Sequence, residues 1–215
     1  MKIVFDQLCT HDGIRNLDLE IDLTRITTLY DPQENLSRTI LYALVGLDRI
    51  ISGEITIDGI PFTDYSAREP LVKSFAYVFD EGIMLANLTL KENLMLPLRW
   101  LNPNLNEAEI DELIHSWLHT FNLDMDLTLR PVAYRAGPLK LLSFVRALLL
   151  APRALVLDDP FYLLNKSERQ TLFSVLGQLR NSYPMLIASA DDEFGMGFAD
   201  AIIDLSSMTE YFTSQ

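Results

Sequence analysis

Short runs of alternating or β-branched apolar residues recur along the chain, between turn residues and longer stretches whose apolar positions return every three to four residues. Lys2–Leu8 and Leu17–Leu23 (LDLEIDL) alternate as half-buried strands do, with Gly13 marking the turn between them. Ile26–Leu29 is a β-branched run that stops at Asp31-Pro32, and a helical pattern over Thr39–Leu47 follows with Ile40, Leu41 and Leu44. Gly46 suits the C-cap of that helix. Ser52–Gly59 (SGEITIDG) predicts a strand closed by an Asp58-Gly59 turn, and Ser74–Phe79 predicts another. Asn93–Leu150 is mostly helical in pattern. Within it, Glu107–Phe121 sets Ile110, Leu113, Ile114, Trp117 and Leu118 on one face. Pro138–Leu150 (PLKLLSFVRALLL) is apolar nearly all round, which predicts a buried helix with Pro138 in its first turn. Arg153–Leu157, Met185–Ser189 and Ala201–Leu205 read as strands, and Ser167–Leu179 as a helix. Strands alternating with helices define an α/β chain.

Composition narrows the class. The 215 residues suit one domain, or a core with a small inserted subdomain, and 49% hydrophobic content supports a large core. A net charge of −13 argues against nucleic acid and against direct adsorption to an anionic membrane. The single Cys9 leaves no internal disulfide and fits a reducing compartment. No apolar run reaches the roughly 18 residues that a membrane span needs, and MKIVFDQL reads as a strand rather than a signal peptide. A cytoplasmic location is the expectation.

The stretch Ile26–Leu44 has the strand–loop–helix frame of a phosphate-binding loop. Its loop has no glycine and no lysine, and it carries Asp31 and Glu34 where a triphosphate needs backbone N–H groups and a cation. Asp158-Asp159 at a strand end could be a metal site of an unrelated enzyme or a retained structural pair. His115 and His119, at i and i+4 on a helix, could share a zinc ion, but no third ligand is nearby and exposed histidines are the simpler account. Ser189 with Asp191 or His115 has no nucleophile elbow around it. Trp100, Trp117 and Met95 fit packing inside the helical stretch.

From Phe5 to Leu205 the chain resembles the ATP-binding subunit of ABC transporters. The likeness rests on SGEITIDG (Ser52–Gly59) and LVLDDPF (Leu155–Phe161), with Gly46, Glu92-Asn93, Arg146-Ala147 and Ala199-Asp200 also matching. Tyr77–Leu98 is most similar to the branch serving lipid and toluene-tolerance transporters. The resemblance implies a RecA-like P-loop NTPase core with a small N-terminal antiparallel sheet and an inserted helical subdomain. In a single ATP-binding domain, residues 1–92 and 146–215 would form the core and 93–145 the helical subdomain.

The same resemblance assigns positions. The adenine-stacking aromatic falls near His11–Asp12, and the phosphate-loop motif falls on Asp31–Thr39. There Asp31, Glu34 and Leu36 replace glycines, Ser37 replaces the lysine, and Arg38 replaces the hydroxyl residue that binds Mg²⁺; only Thr39 is kept. Asp80 stands for a glutamine, and Tyr134-Arg135-Ala136-Gly137-Pro138 stands for the LSGGQ signature and keeps Gly137. Asp158 matches the Mg²⁺-side aspartate, Asp159 replaces the catalytic glutamate, Asn165 replaces an aspartate, and Ala190 replaces the switch histidine. Glu81, Gly82, Ile83, Met84, Leu85, Ala86 and Asn87 form the loop that, in the family, receives a permease's coupling helix.

The substitutions are costly for ATP. A carboxylate about 5 Å from a phosphate oxygen repels it by roughly 3 kcal/mol at an effective dielectric near 20. A lost lysine removes about 1.5–3 kcal/mol, and micromolar affinity is only about 8 kcal/mol in all. The expectation is a degenerate subunit with no catalytic residue, no bound ATP and no bound Mg²⁺. It would dock to an integral membrane permease at the inner membrane, as a homodimer or beside an active ATP-binding subunit. The alternative is a divergent ATPase using ATP and Mg²⁺, with Arg38 for the lysine and Asp159 for the glutamate; a third reading is a regulator that has left the transporter. Arg38 is expected to be neutralised by Asp31 and Glu34, and non-glycine residues are expected to force another backbone path through the loop. Arg135 is either a contact for a partner's γ-phosphate or a solvated surface arginine.

Overall fold

The computed structural model describes residues 1–190, 197–208 and 211–212. In chain order it contains β1 (Lys2–Thr10), β2 (Leu17–Asp22), β3 (Ile26–Tyr30), α1 (Asn35–Val45), β4 (Ile50–Ile57), β5 (Ile60–Pro61), α2 (Phe62–Arg68), α3 (Leu71–Ser74) and β6 (Phe75–Val78). There follow α4 (Leu90–Leu101), α5 (Glu107–Thr120), α6 (Ala136–Leu148), β7 (Ala154–Asp158), α7 (Lys166–Leu179), β8 (Met185–Ser189) and β9 (Ala201–Asp204). The predicted elements are all present, and the architecture is the expected α/β one.

Two sheets divide the strands. The first is antiparallel, in the order β2-β1-β4-β5. Its alternation buries Ile3, Phe5 and Leu8 of β1. The register slips between Phe5 and Leu8, where Gln7 has φ 44. Gly53 faces that bulge so closely that a Cβ there would lie 2.3 Å from the Gln7 carbonyl oxygen. The second sheet runs β6-β7-β8-β3-β9, and its β7–β8, β8–β3 and β3–β9 pairs are parallel. β7 and β8 are buried along their whole length, as their unbroken apolar runs require.

The helix after β3 starts at Asn35, four residues before the predicted Thr39. Apolar periodicity sees only Leu36 in that turn, because the other residues are polar and the turn is fixed by backbone bonds. Its far end agrees with expectation: Gly46, at φ 76, closes the helix with its N–H turned to the Ala43 and Tyr42 carbonyls.

The chain packs as two compact units: Met1–Tyr77 with Arg153–Asp159 and Arg180–Gln215, and Val78–Pro152 with Pro160–Leu179. The unit holding the inserted helices therefore extends beyond 93–145 on both sides and includes α7. In the first unit α1 lies against β7 and β8. In the second, α6 is buried on nearly every face, Lys140 included. Two packing expectations fail there. Trp100 is 67% exposed and Leu113 43% exposed; Leu113 sits at the edge of the Ile110–Ile114–Leu118 stripe rather than within it. Among the described residues no helix is long and apolar enough to cross a membrane.

Candidate functional site

The loop after β3 is organised by Asp31, which is buried. Its N–H donates to the Ser189 carbonyl at 3.1 Å, fastening it to the end of β8. One carboxylate oxygen accepts from Gln33 N and the other from Ser37 N, both at 3.0 Å. Ser37 N belongs to the first turn of α1, whose N–H groups lack partners inside the helix. These are the donors that a phosphate-binding loop turns towards its anion. Here a side chain of the same loop takes them. Glu34 has φ 58 and its N–H bonds the Asp31 carbonyl at 3.0 Å. Glu34 thus makes a left-handed turn at a position where the resemblance expects glycine, at a strain of about 1–2 kcal/mol.

Arg38 points to the strand end. Its Nε lies 2.9 Å from Asp158 Oδ2, an ion pair in which the N–H is not aimed straight at the oxygen. Its Nη2 is 3.8 Å from Glu34. The expected pairing with Glu34 is present, and buried Asp158 is the nearer acid; the Asp31 carboxylate accepts from the Gln33 and Ser37 N–H groups. The Tyr77 hydroxyl donates to the same Asp158 Oδ2 at 3.0 Å, and its ring meets Tyr42 at 5.8 Å between centroids. Burial first, and then the Asp158 charge, push the Tyr77 hydroxyl far above its ordinary pKa. Tyr77 escaped sequence reasoning because only its strand was visible.

The remaining nucleotide positions of this unit are scattered in role. Thr39, the residue that fits the motif the resemblance implies, turns its hydroxyl back to the Asn35 carbonyl at 2.8 Å. Asp159 is half-buried at φ 32, its N–H bonded to Ala188 O. Ala190 follows β8 and is half-buried, and Asp191 lies outside the described residues. His11 and Asp12 are exposed, with His11 Nδ1 3.0 Å from Asp12 Oδ1. His115 and His119 are exposed on α5. Among the described residues no group of three or more His, Cys, Asp or Glu side chains is arranged to hold a metal.

In the second unit, the loop Glu81–Asn87 is held by three polar side chains. Lys140 Nζ donates to Phe79 O at 2.6 Å, and Arg146 Nη2 donates to Ile83 O at 2.7 Å. Asn93 accepts from Leu85 N at 2.7 Å and donates to Leu85 O and Thr89 O. Gly82, at φ 63, sits against the Lys140 backbone, where a Cβ would fall 2.5 Å from Lys140 Cα. Ile83 and Leu85 stay about half exposed on this fixed backbone. Asp80 accepts from Glu81 N at 2.8 Å. Burial lowers the pKa of Arg146. Asn93 and Arg146 had only matched a pattern; Lys140, the single cation in PLKLLSFV, was the overlooked signal.

The signature stretch caps α6. Arg135 is its N-cap, and its exposed guanidinium lies 3.1 Å from Glu168 Oε1. Glu168 Oε2 accepts from Asn165 N, and Asn165 Oδ1 accepts from Glu168 N, which closes the start of α7. A Cβ on Gly137 would meet the Glu168 carboxylate at 2.2 Å, so the glycine makes room for that pair. Ala136 is exposed beside it. Arg135 is thus on the surface, as one reading held, but paired.

A parallel sheet with a strand–loop–helix frame at β3 and an acidic end at β7 fits the RecA-like core of a P-loop NTPase. The family model for ABC transporters matches residues 38–162, more than half of the chain, and the chain belongs to that family as an ATP-binding domain. The match opens at Arg38, after the loop residues Asp31–Ser37. The chain is 27% identical to the sulfate/thiosulfate import ATP-binding protein CysA 2 of Shewanella oneidensis over 211 residues, which is 94% of this chain and 59% of that protein. It is also 27% identical to the spermidine/putrescine import ATP-binding protein PotA of Pseudomonas fluorescens over 203 residues, 91% of this chain and 54% of the relative. It therefore spans under two thirds of the length of these relatives. Among solved structures, it is similar to a dimeric ATP-binding cassette in a post-hydrolysis state bound to ADP and Pi, with TM-score 0.81 and 20% identity, covering 95% of this chain and 94% of that one. A second, an ATP-binding subunit of an ABC transporter, gives TM-score 0.76 and 21% identity over 96% and 86%. At these identities the likeness establishes the fold.

Proposed function

We propose that this chain is a catalytically degenerate ATP-binding-cassette subunit, the structural or regulatory half of an ABC transporter. It docks to an integral membrane permease at the cytoplasmic face, beside an active ATP-binding subunit or a second copy of itself. The single observation that carries the reading is the Asp31 carboxylate on the Ser37 N–H. An incoming triphosphate would have to displace that carboxylate and then meet its repulsion, roughly 3 kcal/mol at 5 Å. No lysine stands at Ser37 to offset it. Residues Asp80, Asp159 and Ala190 are accordingly assigned no catalytic role, and neither ATP nor Mg²⁺ is assigned as a cofactor.

Docking is assigned to Glu81–Asn87. A loop fixed by Lys140, Arg146 and Asn93 presents Ile83 and Leu85 without having to order itself on binding. In a heterodimer the chain would offer only Arg135–Pro138 to the partner's nucleotide. As to cargo, Tyr77–Leu98 suggested a lipid-type transporter, whereas the relatives named above are import ATP-binding proteins for sulfate/thiosulfate and spermidine/putrescine. A solute importer is the class those names favour. The alternative of an active ATPase using Arg38 and Asp159 must contend with the engagement of Arg38 by Asp158.

The test is affinity purification of the chain from detergent-solubilised membranes of its own host. A permease subunit should co-purify with wild type and be lost when Ile83 and Leu85 are both changed to Asp. Recovery of the chain without any membrane protein would favour the free regulator instead.

A further inference from the structure

We infer that Arg38 is the resident cation of this site, holding the place beside Asp158 that a divalent metal would need. The inference rests on the reading that the loop does not take Mg²⁺-nucleotide. Asp158 is only 2% exposed, and a buried carboxylate persists in the charged form only beside a compensating charge and hydrogen bonds. Two groups of the chain converge on one of its oxygens: Arg38 Nε at 2.9 Å and the Tyr77 hydroxyl at 3.0 Å. The outer end of the guanidinium is held 3.8 Å from Glu34, the residue that makes the left-handed turn. Arg38 itself stands where the resemblance puts the metal's hydroxyl ligand, and the hydroxyl of the neighbouring Thr39 is bonded to the Asn35 carbonyl. A guanidinium keeps its charge at every physiological pH and cannot be chelated or exchanged. The loop–strand junction is therefore neutralised by covalently attached groups: Asp31 supplies the anion at the α1 N–H groups, and Arg38 the cation at β7. The fold of this unit then owes nothing to a bound metal ion, so it stays competent to hold a partner whatever the nucleotide state of that partner.

Thermal unfolding of the whole chain, combined with Mn²⁺ binding followed by electron paramagnetic resonance, tests this. Wild type should melt at one temperature in EDTA and in millimolar Mn²⁺, and should bind no Mn²⁺ that Asp158→Asn abolishes. Arg38→Met should lower the melting temperature by roughly 6 °C or more, as for a stranded buried charge. Adding Asp158→Asn to Arg38→Met should recover most of that loss. If Arg38→Met does not fold, the double variant decides: a folded double variant supports the inference, and an unfolded one overturns it. An unchanged melting temperature for Arg38→Met, or Mn²⁺ bound at Asp158 in wild type, also overturns it. Calorimetric binding of Mg²⁺-ATP by wild type would instead undo the reading beneath it.

Discussion

The Asp31 carboxylate and the Ser37 N–H stand 3.0 Å apart, an anion and a helix N-terminus supplied by the same loop. Because Asp31 and Ser37 are buried, removing the carboxylate leaves Ser37 N without an acceptor in a place water reaches poorly, and frees the more exposed Gln33 N as well. Asp31→Ala should therefore cost about 1–3 kcal/mol in urea unfolding. Asp31→Asn keeps one acceptor oxygen and should lose about half as much. An unchanged urea midpoint in Asp31→Ala would remove the idea that this carboxylate organises the loop.

Lys140 acts on the loop of the other unit. Lys140→Met keeps the apolar stem and deletes the donor to Phe79 O. Amide exchange across residues 80–88 should quicken by tenfold or so, equivalent to about 1.4 kcal/mol, while α5 changes little. Equal acceleration everywhere would mean that Lys140 matters only for global stability.

Two glycines give a controlled comparison. Gly59 has φ 76 with nothing within 4 Å of a built Cβ, whereas Gly82 combines φ 63 with a 2.5 Å approach to Lys140 Cα. Gly59→Ala should cost about 1 kcal/mol from backbone strain alone, and Gly82→Ala at least about 2 kcal/mol more. Similar melting temperatures for the two variants would contradict the close approach.

The start of α4 is pH-sensitive in a defined direction. The Thr89 backbone N–H, and then its hydroxyl, hold the Glu92 carboxyl below its ordinary 4.5. A pKa lowered in the folded chain contributes stability that is complete above pH 4.5 and fades as pH falls through the depressed value. Amide protection at residues 89–93 should thus decline on that acid limb in wild type and lose the dependence in Glu92→Gln. The same acid limb in both would assign it to other groups.

How far the sequence reaches depends on the kind of interaction. Strand alternation in β1 and the unbroken runs of β7 and β8 placed the sheets, because burial imprints period and composition directly. Asp31, Glu34, Ser37 and Arg38 are legible as departures from the motif that the family resemblance implies. Their partners are not. Arg38 reaches Asp158 across 120 positions of chain, and Asp31 turns back on Ser37 across a loop in which Glu34 makes a left-handed turn. Neither choice has a periodic signature. Lys140 and Trp100 were misjudged for a related reason: an apolar run does not reveal that a buried carbonyl needs a donor, and an aromatic does not reveal which side of α4 meets water.

The central claim is that the chain fills its own nucleotide site. Isothermal titration of the purified chain with Mg²⁺-ATP measures it most directly. The account predicts no saturable heat up to millimolar ATP, with binding gained only when Asp31→Gly, Glu34→Gly, Leu36→Gly and Ser37→Lys are combined. Micromolar binding by the wild-type chain would contradict it.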